Sequence, residues 1–233
     1  MSPEVAVWRG FAGVTATPTR VGTAVGVCGM VLALGAVLGL VAGSADPTRA
    51  IVDLVGLSAL VPFVSIMSGC AVVGEPRADG RLATWWARPI GRGSLAVAAQ
   101  SAAAMIAVPV AAVGTVLCVL ASGGSGRAVV AAGVAVGLVA WAMCSVAVLV
   151  GSVSTHAIGW VVGYAAIVDQ FVARSGRPLA WLSLRAHGLA VYDGIRGVDA
   201  SMFSVPVSIV AVSMVALGSL AGTAIALGRI DLA

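Results

Sequence analysis

The sequence contains no lysine, only two histidines, and charged residues at only 9% of its 233 positions. Without lysine it lacks the GxxxxGKS or GxxxxGKT loop that holds nucleotide phosphates, so we expect no ATP hydrolysis on this chain. The histidines, His156 and His187, do not have HExxH spacing, and no metal site is predicted. The arginines are not clustered as they are on a nucleic-acid-binding surface. These absences argue against nucleotide hydrolysis, zinc chemistry and nucleic-acid binding.

Long apolar runs are abundant instead, since 60% of the residues are hydrophobic and the mean hydropathy is +1.09. A helix needs about 20 apolar residues to cross a hydrocarbon core of about 30 Å. Six runs qualify, and they are continuously apolar rather than alternating, which favours helices over barrel strands. The predicted spans are 21–43, 51–74, 94–121, 128–151, 155–173 and 204–228. The sequence therefore predicts an all-α integral membrane protein with one transmembrane domain, 1–233, and six transmembrane helices.

The arginines indicate the orientation of these helices, because cytoplasmic loops carry an excess of basic residues. With a cytoplasmic N-terminus, seven arginines lie inside and two lie in the first outer loops, although four more lie in the last outer segment, 174–203. The inner set is Arg9, Arg20, Arg77, Arg81, Arg88, Arg92 and Arg229. Arginine as the only basic residue, together with much Ala, Val and Gly, is typical of a GC-rich bacterial genome. We therefore predict a bacterial plasma-membrane protein with both termini in the cytoplasm.

Two further segments are predicted to lie along the membrane surface. Near the N-terminus, Val5, Trp8 and either Phe11 or Ala12 recur at helical spacing, which indicates either a short surface helix or a frayed polar terminus. The outer segment 174–203 is too long and too apolar for a plain loop. We expect short helices there, before the last span.

A charged insert, GEPRADGRLATWWARPIGR at positions 74–92, separates the second and third predicted spans. Leu82, Trp85 and Trp86 fall at i, i+3 and i+4 and therefore share one face of a helix. That face has two interpretations. It is either an interfacial helix with tryptophans in the aromatic belt of the membrane, or a helix that docks into a cytoplasmic protein.

Asp53 and the pair Asp169–Gln170 are the strongly polar side chains well inside apolar runs, and such carboxylates are functional candidates. Both aspartates are predicted near the outer face. There, contact with water or with Arg49 and Arg174 accounts for them. We interpret Asp169 and Gln170 as a possible outer gate rather than a proton carrier.

Small residues give two other patterns. GxxxG spacing occurs three times in the first span and predicts close helix packing, either inside the chain or at a dimer seam. Gly123-Gly124-Ser125-Gly126 matches the GxSG of rhomboid intramembrane serine proteases at the start of the fourth span. Rhomboids carry a histidine on the sixth span, and residues 204–228 contain none, so a Gly-Ser-Gly turn is the better interpretation.

The insert resembles the first cytoplasmic loop of ABC-2 type export permeases. In that family an acidic residue, a glycine and a short helix precede a Pro–small–Arg element, and here these are Glu75, Gly80, the helix through Trp86, and Pro89-Ile90-Gly91-Arg92. The tail Gly228-Arg229-Ile230-Asp231 is similar as well. The chain departs from the family pattern at Trp85-Trp86, where an aliphatic pair is usual, and at Gln100, where lysine is common.

The resemblance implies the transmembrane subunit of an ATP-binding cassette exporter. A separate ATPase subunit would bind ATP and Mg, this chain would hold no cofactor, and a second permease chain, identical or different, would complete the pathway within membrane lipid. A non-transporting membrane scaffold or immunity protein is the alternative. The residues that the resemblance assigns to ATPase coupling are Glu75, Gly80, Arg81, Leu82, Trp85, Trp86, Arg88, Pro89 and Arg92.

Overall fold

The computed structural model describes residues 3–42, 47–80, 82, 90–171, 180–198 and 202–229. These residues are almost entirely helical, and no strand occurs among them. The main helices are α1 (Pro3–Thr15), α2 (Pro18–Ala42), α3 (Thr48–Ala78), α4 (Arg92–Ala121), α5 (Gly126–Val153), α6 (Ala157–Gly163, continuing as a π-helix over Tyr164–Phe171), α7 (Leu184–Arg196) and α8 (Val205–Arg229). The predicted all-α class is therefore confirmed for the described residues.

Five of these helices, α2, α3, α4, α5 and α8, are long and apolar enough to cross a membrane. Their number and length are compatible with the predicted multi-pass membrane protein. The fifth predicted span, 155–173, corresponds to α6, whose described apolar stretch is shorter than the other five. A sixth crossing therefore stays a prediction.

The centre of the bundle is formed by α4 and α5, which pack against each other along their lengths. On α4 a stripe of alanines at a spacing of four, Ala99, Ala103, Ala107 and Ala111, is completely buried. Such small side chains let two helices approach closely, and this closeness supplies packing energy when the surroundings are also apolar. By contrast, large apolar side chains of α2 point away from the bundle, with Val25 67% and Met30 69% exposed.

One glycine of the first predicted span makes the close approach that the GxxxG spacing predicts. A Cβ on Gly35 would lie 2.8 Å from the Cys118 sulfur, so only glycine lets α2 pack on α4 there. Gly22 and Gly26, on the same helix, have nothing within 4 Å of such a Cβ. The glycines of α2 are thus divided between an internal contact near Gly35 and an outward face near its N-terminus.

Segments of π-helix interrupt the regular helices at both aspartates that lie within apolar runs. Asp53 lies in the π-helical stretch Ile51–Leu60 of α3, and Asp169 lies in the stretch Tyr164–Phe171 of α6. Pro62 follows the first stretch, and its missing N–H cannot continue the hydrogen-bond ladder. Because π-helical turns are rare and often occur at functional sites, these two positions mark one end of the bundle for closer description.

Candidate functional site

The two ends of the bundle differ in chemistry, and we name them by their central carboxylates. The Glu75 end contains the last turns of α3, α1 and the start of α4. The Asp53 end contains the first turns of α3, the described end of α6, and α7. The described members of the predicted coupling set, Glu75, Gly80, Leu82 and Arg92, belong to the first end, and Asp169 of the predicted gate belongs to the second.

At the Glu75 end, α1 holds together the two helices that flank the charged insert. Its side chains Val7, Phe11 and Val14 are buried, where it packs against α4 and the last turns of α3. Trp8 donates from Nε1 to Ser101 Oγ of α4 at 3.1 Å. The prediction of the apolar face of α1 is therefore partly wrong. Val5 is 42% exposed, and the buried positions are Val7, Phe11 and Val14, at i, i+4 and i+7.

An ion pair joins the start of α2 to the end of α3 at this same end. Arg20 donates from one guanidinium nitrogen to the Glu75 carboxylate and from another to the Val14 carbonyl. Arg20 thereby connects α1, α2 and α3, and its side chain is only 17% exposed. Glu75, the first of the predicted coupling residues, is thus a fixed rather than a freely moving carboxylate.

Gly80 and Leu82 show how the insert leaves α3. Gly80 has a φ of +70°, a left-handed conformation that glycine adopts without strain and that ends a helix. Leu82, two residues later, is helical and 3% exposed, so the first apolar position of the predicted docking face is covered by the protein itself. The chain re-enters a helix at Arg92, the first residue of α4. The remaining predicted coupling residues lie outside the described residues: Arg81, Trp85, Trp86, Arg88 and Pro89.

A cavity of about 660 Å³ opens beside the Arg20–Glu75 pair. Its walls are mostly apolar, with Ile66, Met67 and Ile158 among them, and the charged side chains that line it are Arg20, Glu75 and Arg77. The first residues of α6 line this cavity, which places the beginning of α6 at the Glu75 end. An apolar chamber with a charged rim suits an amphiphilic molecule better than a small ion.

At the Asp53 end, a buried ion pair ties α7 to α3. Arg185 of α7 donates to both carboxylate oxygens of Asp53, at 2.5 Å from Nε and 2.7 Å from Nη2. The Arg185 side chain is 7% exposed and that of Asp53 is 20% exposed. The expected contact of Asp53 with Arg49 is therefore replaced by a bidentate pair with an arginine from a distant part of the chain.

Asp169 lies beside this pair and joins α6 to the same helix. Its Oδ1 accepts from Ser183 Oγ at 2.8 Å and from the Arg185 backbone N–H at 3.4 Å, and its carbonyl accepts from Arg185 Nη1 at 3.1 Å. The expected partner Arg174 and the side chain of Gln170 lie outside the described residues. Asp169 is thus a fixed acceptor at the start of α7, and this agrees with a structural or gating role.

A second ion pair holds the other end of α7. Arg49 donates to Asp193 from Nε at 3.0 Å and from Nη2 at 3.0 Å, and Asp193 is completely covered. Beside it, the Tyr192 hydroxyl donates to Thr48 Oγ1 at 2.8 Å. Two carboxylates and two arginines therefore fix α7 across the first turns of α3.

Local signals in the sequence account for the boundaries of α7. Ser183 is its N-cap, with Oγ accepting from the Ala186 N–H. Gly197 ends it with a φ of +77°, while the N–H groups of Gly197 and Val198 bond back to the carbonyls of Gly194 and Asp193. The interpretation of segment 174–203 missed Arg185 and Asp193. Three signals together predict this polar helix: a serine cap, a terminal glycine, and opposite charges about two helical turns apart.

Ser125, the candidate protease nucleophile, has a capping role. Its Oγ accepts from the Ala128 N–H at the start of α5, after a turn in which Gly123 has a φ of +80°. His156 follows the other end of this 28-residue helix, about 42 Å away along its axis. The Gly-Ser-Gly motif is therefore explained by the turn between α4 and α5.

Comparison with known proteins found no family model that matches this chain. No curated protein matches it either. The functional conclusion consequently depends on the residues and their arrangement.

Proposed function

We propose that this protein is the transmembrane subunit of an ATP-binding cassette exporter and that the insert 74–92 docks on a separate ATPase subunit. The observation that supports this best is the bracing of the insert at the Glu75 end. Helix α1 packs on both flanking helices, and Arg20 pairs with Glu75. Leu82 is buried and anchors the insert to this chain, so the docking contact is assigned to Trp85 and Trp86. A segment that transmits the motion of an ATPase to the transmembrane helices needs such rigid attachment, whereas a helix that only lies in the membrane interface does not.

The length of α3 supports the same assignment. Its 31 residues span roughly 40 Å, because its π-helical stretches rise less per residue than an α-helix, and this length still exceeds the hydrocarbon core of about 30 Å. Its last turns therefore extend beyond the apolar region before the chain turns at Gly80. A force applied to the insert would reach α3 and α4 directly, because the insert connects these two helices.

Helix α6 provides the sixth crossing of this proposal. Its first turn lines the cavity at the Glu75 end, while Asp169, near its described end, bonds to α7 at the Asp53 end. A helix that connects the two ends of the bundle returns the chain to the outer side, and α8 then brings it back. With the Glu75 end in the cytoplasm, both termini are cytoplasmic, as the seven-to-two distribution of arginines outside segment 174–203 indicates.

In this arrangement the two ends have separate tasks. The ATPase would bind ATP and Mg, and its closure would move the insert. The apolar cavity beside Arg20 and Glu75 would receive the substrate at the cytoplasmic end. At the outer end, α7 would act as the gate, held closed by its contacts with Asp53 and Asp169. A second permease chain would complete the pathway.

The test is co-purification of the chain with any ATPase that a neighbouring gene encodes. Replacing Trp85 and Trp86 by alanine removes two aromatic anchors from the docking face. Truncations of this kind weaken binding by about 2 kcal/mol or more each, which is roughly a thousandfold for the pair. We expect ATPase recovery and coupled ATP hydrolysis to fall together while the helical fold persists in detergent.

A matched control is the pair Trp160→Ala and Trp181→Ala, since both tryptophans are exposed and lie outside the insert. This variant should retain the ATPase at the wild-type ratio. Unchanged recovery with the Trp85/Trp86 variant would refute docking by this face and favour the interfacial helix. A genome without a neighbouring ATPase gene, or no association at all, would favour the membrane scaffold.

A further inference from the structure

A second cleft at the Glu75 end contains two arginines and lies between the last turns of two apolar helices. Its volume is about 470 Å³, and it separates the end of α5 from the end of α8. Arg77 of α3 and Arg229 of α8 line it, and no carboxylate is among the described residues of its lining. Both arginines are exposed. The cleft is therefore positively charged and lies at the level where these helices end.

The rest of the cleft is apolar and faces outward. Val153 is 64% exposed and Ile225 is 57% exposed, so exposed apolar side chains lie beside the two arginines. Arg77 donates from Nη1 to the Ser152 carbonyl at 3.3 Å, which fixes its side chain across the end of α5. A guanidinium has five N–H donors, so this bond leaves donors for a second acceptor. A basic site above an apolar wall suits a molecule with an anionic head and acyl chains.

We propose that this cleft binds the headgroup of an anionic phospholipid. Basic pockets between transmembrane helices on the cytoplasmic side bind such headgroups, and arginine matches the geometry of phosphate oxygens. Two arginines would bind a lipid with net negative charge better than a zwitterionic one, whose cationic choline group they repel. The site requires that the helices lie in a membrane, and it does not depend on ATPase docking.

The experiment compares lipid binding to delipidated protein in a non-ionic detergent by native mass spectrometry. The probes are dioleoylphosphatidylglycerol and dioleoylphosphatidylcholine, which share acyl chains and differ in headgroup charge. The wild type should bind the anionic lipid more tightly. Each arginine near the membrane surface contributes about fivefold, so R77Q/R229Q should weaken binding of the anionic lipid about twenty-five-fold.

Two other variants keep the test decisive. R9Q/R127Q removes the same charge from exposed positions that do not line the cleft, and it should bind both lipids as the wild type does. Should R77Q/R229Q fail to fold, R229Q alone changes only an exposed residue in the last turn of α8, and about fivefold weaker binding is expected.

Three results would overturn the proposal. These are equal affinity of the wild type for the two lipids, unchanged binding in the arginine variants, or displacement of the lipid by an equal concentration of inorganic phosphate. The last result would assign the cleft to a free anion. Because ATPase recovery is measured separately, failure of lipid binding and failure of docking are distinguishable.

Discussion

The ion pair between Asp53 and Arg185 should dominate the stability of the Asp53 end of the bundle. Substituting Asp53 by asparagine keeps the shape and one acceptor but removes the charge opposite a guanidinium that is 7% exposed. Breaking a buried pair by removing one partner costs about 3–5 kcal/mol, because the other charge stays buried without compensation. Asp53 is 20% exposed, and the Asp169 carbonyl still accepts from Arg185, so we expect the lower end, about 3 kcal/mol.

Reversible unfolding in mixed detergent micelles, titrated with a denaturing detergent, measures this loss. The double variant D53N/R185Q removes both charges. Its loss in free energy of unfolding should be smaller than the summed losses of D53N and R185Q, by at least about 1 kcal/mol. E75Q is a matched control, because Glu75 also pairs with an arginine but its side chain is 46% exposed. That variant should lose less than about 1 kcal/mol. A loss for D53N as small as that for E75Q, with no coupling in the double variant, would refute the reasoning.

Two further predictions concern pH and orientation. Burial lowers the pKa of the His187 imidazole, although its hydrogen bond to the Trp181 carbonyl opposes this effect. Because the unfolded chain then takes up a proton that the folded chain does not, stability should fall as the pH drops below about 6.5, and unfolding titrations of H187Q should show less of this dependence. The exposed His156 gives the control, since H156Q should keep the dependence. For orientation, a single cysteine at Arg88 in a cysteine-free background should react only with reagents that reach the cytoplasm, and labelling from outside alone would contradict both the orientation and the docking helix.

The chemistry of His187 is itself a product of the tertiary structure. Its Nε2 lies 3.2 Å from the Trp181 carbonyl, and its Nδ1 lies 3.3 Å from Ser208 Oγ. A carbonyl only accepts, so we assign the proton to Nε2, and Nδ1 then accepts from the serine hydroxyl. This arrangement satisfies both nitrogens of a neutral ring, and it is the burial of the ring that lowers its pKa. Only the packing of α7 against α8 brings Ser208 to the ring.

The sequence by itself determined the helical class and the positions of the apolar helices. Continuous apolar runs of about 20 residues have one stable solution in lipid, which is a helix that satisfies its own backbone hydrogen bonds. The boundaries at Gly80, Ser125 and Gly197 also follow from local rules for capping and left-handed glycine. Such features depend on neighbours along the chain, and a sequence pattern therefore predicts them well.

Only the tertiary structure decided which polar side chains meet. Asp53 was expected near Arg49, four residues away, whereas its partner Arg185 lies 132 positions later. The buried face of α1 likewise depends on the helices against which it packs, and the sequence spacing of Val5 and Trp8 did not reveal it. A charge near an apolar region is stabilised most by a partner that is opposite in sign and shielded from water. Helix packing alone determines which partner that is.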